Sequence, residues 1–142
     1  MKVKELLSKF YSVPYDFSVM DAAKFMQEKR TASVLVAKDG EYVGVITERD
    51  ILRKIVAKGL EPNKISVHQI MSSPIITISQ DAPIEEATAI MEERDIRRVA
   101  VVDGNGKIIG KITSKRIAKN FSNILARKLR LRKAYRDAVV YK

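Results

Sequence analysis

The chain repeats itself, and a repeat limits the folds open to a sequence more than any single motif does. Ser18-Val19-Met20-Asp21-Ala22-Ala23-Lys24-Phe25-Met26 aligns with Pro83-Ile84-Glu85-Glu86-Ala87-Thr88-Ala89-Ile90-Met91 at a shift of 65 residues. Val34-Leu35-Val36 meets Val99-Ala100-Val101 at the same shift, and Gly44-Val45-Ile46-Thr47 meets Gly110-Lys111-Ile112-Thr113 at a shift of 66. The extra residue falls in the turn between these segments, so two copies of one supersecondary unit are expected.

Each copy has the same local pattern. Asp81-Ala82-Pro83 followed by Glu85 and Glu86 is a helix start, with proline in the first turn and acids at the positive end of the dipole. Ile84, Ala87, Ile90 and Met91 recur at helical spacing. Val99 to Val102 is a short buried strand, Asp103-Gly104-Asn105-Gly106 a hairpin turn, and Lys107 to Ile112 the returning strand. A second helix starts near Thr113. In the first copy the same pattern predicts a helix from about Val19, strands near Ser33–Ala37 and Tyr42–Ile46, and a helix from Thr47. Short strands around Ser12-Val13 and Ile75–Ile78 precede the two helices. One such unit cannot cover both faces of its own sheet, so the copies are expected to pair about a pseudo-twofold axis with two equivalent clefts between them. The predicted class is α/β (α+β): two tandem βαββα repeats, over 1–62 and 63–122, followed by a basic helical extension over 123–142.

Composition narrows the chemistry. The 142 residues include no cysteine, which removes thiolate nucleophiles and cysteine-ligated zinc and suits a reducing, cytoplasmic setting. No apolar run is long enough for a membrane span or a secretory h-region, so no membrane partner is expected. The single histidine, His68, stands at a helix start without the companions a metal site needs. Glu85-Glu86 and Glu92-Glu93 read as helix-start or solvated acids. No Gly-x-Ser-x-Gly, Walker loop or spaced-glycine nucleotide fingerprint occurs. The sequence therefore predicts no enzyme, no catalytic residues, no metal and no required cofactor.

Gly44-x-x-Thr47-x-x-Asp50 has a physical rationale of its own. Thr47 ends a strand at the mouth of a helix whose amides favour phosphate, and Asp50 can accept hydrogen bonds from a ribose diol. The same two residues also fit a capping box, and both roles stay open. The second copy puts Arg116 where the acid should be; it either meets phosphate or points into solvent.

In order, spacing and duplication, Val67-His68-Gln69-Ile70-Met71 leading to Ile76-Thr77-Ile78, then Arg97-Arg98-Val99-Ala100-Val101-Val102-Asp103, and Gly44-Val45-Ile46-Thr47-Glu48-Arg49-Asp50, resemble the cystathionine β-synthase (CBS) domain pair, or Bateman module. The resemblance covers about residues 1 to 122. It implies a stand-alone regulatory module for adenosine-containing ligands (AMP, ADP, ATP, sometimes S-adenosylmethionine), an energy sensor that signals to an effector protein by changing shape, and a disc-like homodimer. It implies further that Val45, Thr47 and Asp50 form a ligand site with Thr77, Ala82, Ile96, Arg97 and Arg98. Val45, Ala82 and Ile96 would enclose adenine, backbone near Thr77 would read its edge, and Arg97 or Arg98 would approach the phosphates. Adjacent strand residues face opposite sides, so at most one of these arginines lines a given cleft. A weaker second site would use Ser12, Thr31, Ala32, Ser33, Lys111, Thr113 and Arg116.

The net charge of +10 is confined to the end of the chain. Residues 1–110 carry 16 basic and 16 acidic side chains, whereas residues 111–142 carry 11 basic ones and only Asp137 as an acid. Arg127, Lys128, Arg130, Arg132, Lys133 and Arg136 could meet a nucleic-acid backbone, an alternative function for the chain, with Tyr135 and Tyr141 the only rings for stacking. A dimer contact or an acidic partner protein is the other reading of this stretch.

Overall fold

The computed structural model describes residues 1–129, with side chains described as far as Asn123. The rest of the basic stretch, with Tyr135 and Tyr141, lies outside the described residues. The chain forms two compact units: Lys9–Thr77, called here the first unit, and Met1–Ser8 together with the chain from Ile78 onward, the second.

In the first unit, β1 (Ser12–Pro14) is parallel to β2 (Ser33–Lys38), joined by the crossover helix α1 (Val19–Lys29) that a parallel pair requires. Ser18 caps α1 by accepting from the Asp21 amide at 3.0 Å. β3 (Glu41–Thr47) returns antiparallel to β2 through Asp39-Gly40, whose φ values of 52° and 79° suit the twist of a two-residue hairpin. A one-turn helix α2 (Glu48–Ile51) follows and widens into a π-helical turn over Leu52–Val56.

The second unit repeats the plan. β4 (Thr77–Ser79), α3 (Ile84–Arg94), β5 (Arg98–Val102) and β6 (Ile108–Thr113) lead into a longer helix, α4 (Ser114–Leu129), and the sheet order is β4-β5-β6. Its hairpin holds the extra residue that shifted the repeat from 65 to 66: Asp103 accepts from the amides of Asn105 and Lys107 at 2.9 and 3.0 Å, closing a longer turn. The expected α+β architecture of two tandem units is thus present, except that the helix expected from Thr47 is one turn that widens into the π-helical turn.

Burial follows the repeat position by position. Val13, Val19, Ala22, Met26, Val34, Val36 and Ile46 are buried in the first unit, and Ile78, Ile84, Ala87, Met91, Val99, Val101 and Ile112 occupy the equivalent buried places in the second. A further correspondence escaped the sequence alignment. Val67 and Ile70 complete the first core from a 3-10 turn, and Val3 and Leu6 from the turn at Val3–Leu6 are buried in the second. The signal was present as Val3-x-x-Leu6-Leu7-Ser8 against Val67-x-x-Ile70-Met71-Ser72, at a shift of 64. Each turn is laced to its sheet edge. Ser72 exchanges backbone hydrogen bonds with Val45 at 2.9 and 3.0 Å, and Ser8 does so with Lys111 at 2.8 and 2.9 Å. Glycine permits this approach: a Cβ on Gly110 would lie 2.6 Å from the Ser8 carbonyl oxygen, and one on Gly44 would lie 2.5 Å from Met71 Sδ.

Candidate functional site

The first unit builds a polar cluster where β3 gives way to α2. Thr47 is the N-cap, and both halves of the capping box form. The Asp50 amide donates to Thr47 Oγ1 at 3.0 Å, while Asp50 Oδ2 accepts from the Thr47 amide and the Thr47 hydroxyl, each at 3.0 Å. Asp50 Oδ1 faces Lys54 Nζ at 3.2 Å, and the carboxylate side chain is only 14% exposed. Lys54 also donates to the Ile70 carbonyl at 2.7 Å. Capping and anion placement are therefore the same contacts: the box that starts the helix holds the carboxylate at the strand end.

Neighbouring residues are set by the backbone. Val45, half-buried, lies two residues before Thr47 on β3 and pairs with Leu35. The Glu48 amide donates to the Ala32 carbonyl at 3.0 Å, which seats the entry to β2 against the start of α2. That entry holds Thr31, whose hydroxyl donates to the Ser33 carbonyl at 3.0 Å, and Ser33, fully buried. Within this unit the structure thus brings Thr31, Ala32 and Ser33 beside Thr47. Ser12 is exposed on β1, and Thr77 is exposed at the start of β4.

The second unit repeats the junction without its acid. Thr113 Oγ1 accepts from the Arg116 amide at 3.1 Å, and the Ser114 amide donates to the Arg97 carbonyl at 3.0 Å. Arg116 is exposed. Ile96 follows Asp95, which ends α3 in the left-handed conformation at φ 52°, as Arg30 ends α1 at φ 53°. Arg97 is exposed and Arg98 half-buried, the alternation expected of adjacent residues entering a strand. Ala82, half-buried, accepts from the Val3 amide at 2.9 Å. Of the residues named from the sequence, Val45, Thr47 and Asp50 thus lie together in the first unit, whereas Ala82, Ile96, Arg97 and Arg98 belong to the second.

Lys111 occupies the position that Val45 holds in the first unit, and it is 6% exposed. Desolvation, with Arg98 nearby as a second cause, pushes its ammonium down to about 8 from 10.5. The folded value lies below the unfolded one, so between these limits the unfolded chain holds more protons and stability rises with pH; below about 8 the penalty is complete. Lys111→Met is accordingly expected to raise the melting temperature near pH 7, with a gain that shrinks toward pH 10. Thermal unfolding of both proteins at the two pH values checks this, and a gain of equal size at both would contradict it.

Among the described residues no group of three His, Cys, Asp or Glu side chains is placed to hold a metal ion. His68 is exposed, its ring tilted on that of Tyr15 at 5.7 Å between centroids. No helix of the described residues is long and apolar enough to cross a membrane.

Comparison with known proteins gives this arrangement a family. The CBS domain model matches twice, over residues 3–57 and 67–123. An uncharacterised protein of Methanopyrus kandleri is 38% identical over 100 residues, covering 70% of this chain and 51% of that protein, so the chain spans about half the length of that curated relative. The crystal structure of an uncharacterised conserved protein from Pyrococcus horikoshii superposes with a TM-score of 0.79 at 30% identity, over 84% of this chain and 90% of that one. A CBS domain protein from Pyrobaculum aerophilum, complexed with AMP, gives a TM-score of 0.74 at 28% identity, over 82% of this chain and 89% of the other. Two family matches along a chain that builds two like units, each with its own strand–helix junction, establish that the chain belongs to the CBS-domain family, as a tandem pair of CBS domains.

Proposed function

We propose that this protein is a cytoplasmic, non-catalytic nucleotide sensor: it binds an adenine nucleotide of the AMP, ADP or ATP class, changes shape, and so signals the energy state to a partner protein, working as a homodimer. The observation that carries the reading is the Asp50 carboxylate, held by Thr47 and Lys54 at a strand end and 14% exposed. An anion fixed in this way suits a ribose hydroxyl, and hydrogen bonds to an ionised acceptor are about twice as strong as neutral ones. The AMP bound by the Pyrobaculum relative supports the same ligand class. Val45 supplies an apolar contact for the base. The contributions named for Thr77, Ala82, Ile96, Arg97 and Arg98 belong to the same proposal, and each can be tested by substitution. In the second unit, Arg116 in place of an acid favours one dominant nucleotide per chain.

Titration calorimetry with AMP, ADP and ATP, with GMP as control, tests the reading. At least one adenine nucleotide is expected to bind with a dissociation constant of about 100 μM or tighter, roughly 5 kcal/mol or more of binding free energy. A ligand shifts a conformation only through its different affinities for two states, so hydrogen exchange with and without nucleotide must also differ. Absence of heat with all three adenine nucleotides at millimolar concentration would overturn the proposal.

A further inference from the structure

Each repeat of the sequence gives its leading turn to the core of the other. The family matches cover 3–57 and 67–123, so the turn with Val3 and Leu6 opens the first repeat and the turn with Val67 and Ile70 opens the second. In the fold these two arms change places. Met1–Ser8 belongs to the second unit, although Lys9-Phe10 leads it straight into the first, where the Tyr11 carbonyl accepts from the Leu35 amide at 2.8 Å. The arm from Ile65 to Ser72 belongs to the first unit, although it runs on into β4 of the second.

The two sockets hold their arms with the same contacts. In the first unit the Val67 amide donates to the Phe17 carbonyl and the Val19 amide to the Ile65 carbonyl, both at 2.8 Å, before Ser72 pairs with Val45. In the second the Val3 amide donates to the Ala82 carbonyl at 2.9 Å and the Ile84 amide to the Met1 carbonyl at 3.1 Å, before Ser8 pairs with Lys111. Arm, helix entry and strand match at shifts of 64, 65 and 66 residues. Both arms bury the ends of a Val-x-x-Leu or Val-x-x-Ile turn, and in both sockets a glycine leaves room for the next residue, Leu7 or Met71. A second copy of the chain carries the same arm and the same socket.

We propose that the socket closed by Val3 and Leu6 is an exchange site whose other occupant is the Met1–Ser8 arm of a second copy, so that two chains trade arms and form a dimer. The chain already makes this exchange between its own two repeats. Trading the arm between copies preserves the contacts of arm and socket and changes only the path through Lys9-Phe10. A short connection gives the chain's own arm an effective concentration of about millimolar, so the traded form gains ground near that protein concentration. This inference goes beyond nucleotide binding and does not depend on it.

The chain has no cysteine, so introduced thiols report on the arm alone. Lys2 and Pro83 are exposed and opposed across an antiparallel bridge, and residues opposed in this way have Cα atoms about 4.5–5.5 Å apart, within reach of a disulfide. The test mixes full-length Lys2→Cys and Pro83→Cys chains at about 1 mM and at about 10 μM, in urea below the unfolding transition so that arms open, then removes the urea and oxidises. Each chain has one thiol, so a disulfide from position 2 to position 83 joins two chains by construction. Mass spectrometry is expected to find it in about a tenth of the chains or more at the higher concentration, with a yield about tenfold lower or less at the other. A second pair, Ser8→Cys with Lys111→Cys, reads the other end of the arm and is expected to agree within about threefold. The control pairs Lys2→Cys with Glu92→Cys, exposed and near the far end of α3 from Pro83. Yields no higher than this control at both ends of the arm would overturn the proposal. Cross-linking at one end only would mark a surface encounter and overturn it equally.

Discussion

Removal of Met1–Ser8 is expected to unfold the second unit while the first keeps its structure. Val3 and Leu6 are 0% and 4% exposed, and they serve the second core as Val67 and Ile70 serve the first. Fully burying an aliphatic side chain contributes about 1.5–3 kcal/mol, and the cavity left by its loss costs more. The deletion also removes the partners of the Ala82 carbonyl, the Ile84 amide and both backbone groups of Lys111. The salt bridges of Lys2 and Lys4 to Asp81 go as well, although all three side chains are about half exposed and these pairs matter least. The total loss is of the same order as the ~5–15 kcal/mol that stabilises a whole domain. Hydrogen exchange read by mass spectrometry is the direct measurement. Amides of Val99–Val101 and Ile112 should lose protection, while those of Val34–Val36 and Ile46 keep it. Protection of Val99–Val101 that survives the deletion would show that the N-terminal turn is dispensable.

The second large effect belongs to Asp50. Asp50→Ala is expected to weaken adenine-nucleotide binding between about tenfold and 100-fold, the range that a charge-assisted hydrogen bond of ~1.5–3 kcal/mol allows. The same change removes the acceptor for the Thr47 amide, so the variant should also lose about 1 kcal/mol of stability. Asp50→Asn separates the two roles. Its amide oxygen can still accept from Thr47, whereas the charge that faces Lys54 is gone; it should fold nearly as well as wild type and still bind poorly. Calorimetry at constant pH, with the melting temperature followed in parallel, reads both outcomes. Asp50→Ala that binds as tightly as wild type would remove Asp50 from the ligand site.

Much of this was legible in the chain. The strand β2 was visible through the repeat, the second hairpin through Asp103–Gly106, and α3 through the acids of its first turn and its apolar spacing, although Pro83 is the N-cap and not a first-turn residue. Each of these is a short-range property in which neighbours within a few residues settle the backbone. The Thr47–Asp50 box was visible for the same reason, since its partners are three residues apart. Its double role was not decidable there, because capping and ribose binding call for the same two residue types. The π-helical turn after Ile51 had no signature, and a plain helix from Thr47 was the natural expectation.

Repetition and periodicity were enough to establish two like units of strands and helices, because burying one face of a strand or helix imposes a spacing that any reader of the chain can see. Contacts between distant residues needed the folded chain. Val3 donates to the carbonyl of Ala82, and Lys54 reaches a carbonyl 16 residues away. Such pairs leave no periodic trace, because which apolar turn closes which sheet edge depends on the path of the backbone through space. A buried lysine at position 111 likewise looks, in a row of letters, the same as a solvated one. Only the packing around it takes its water away.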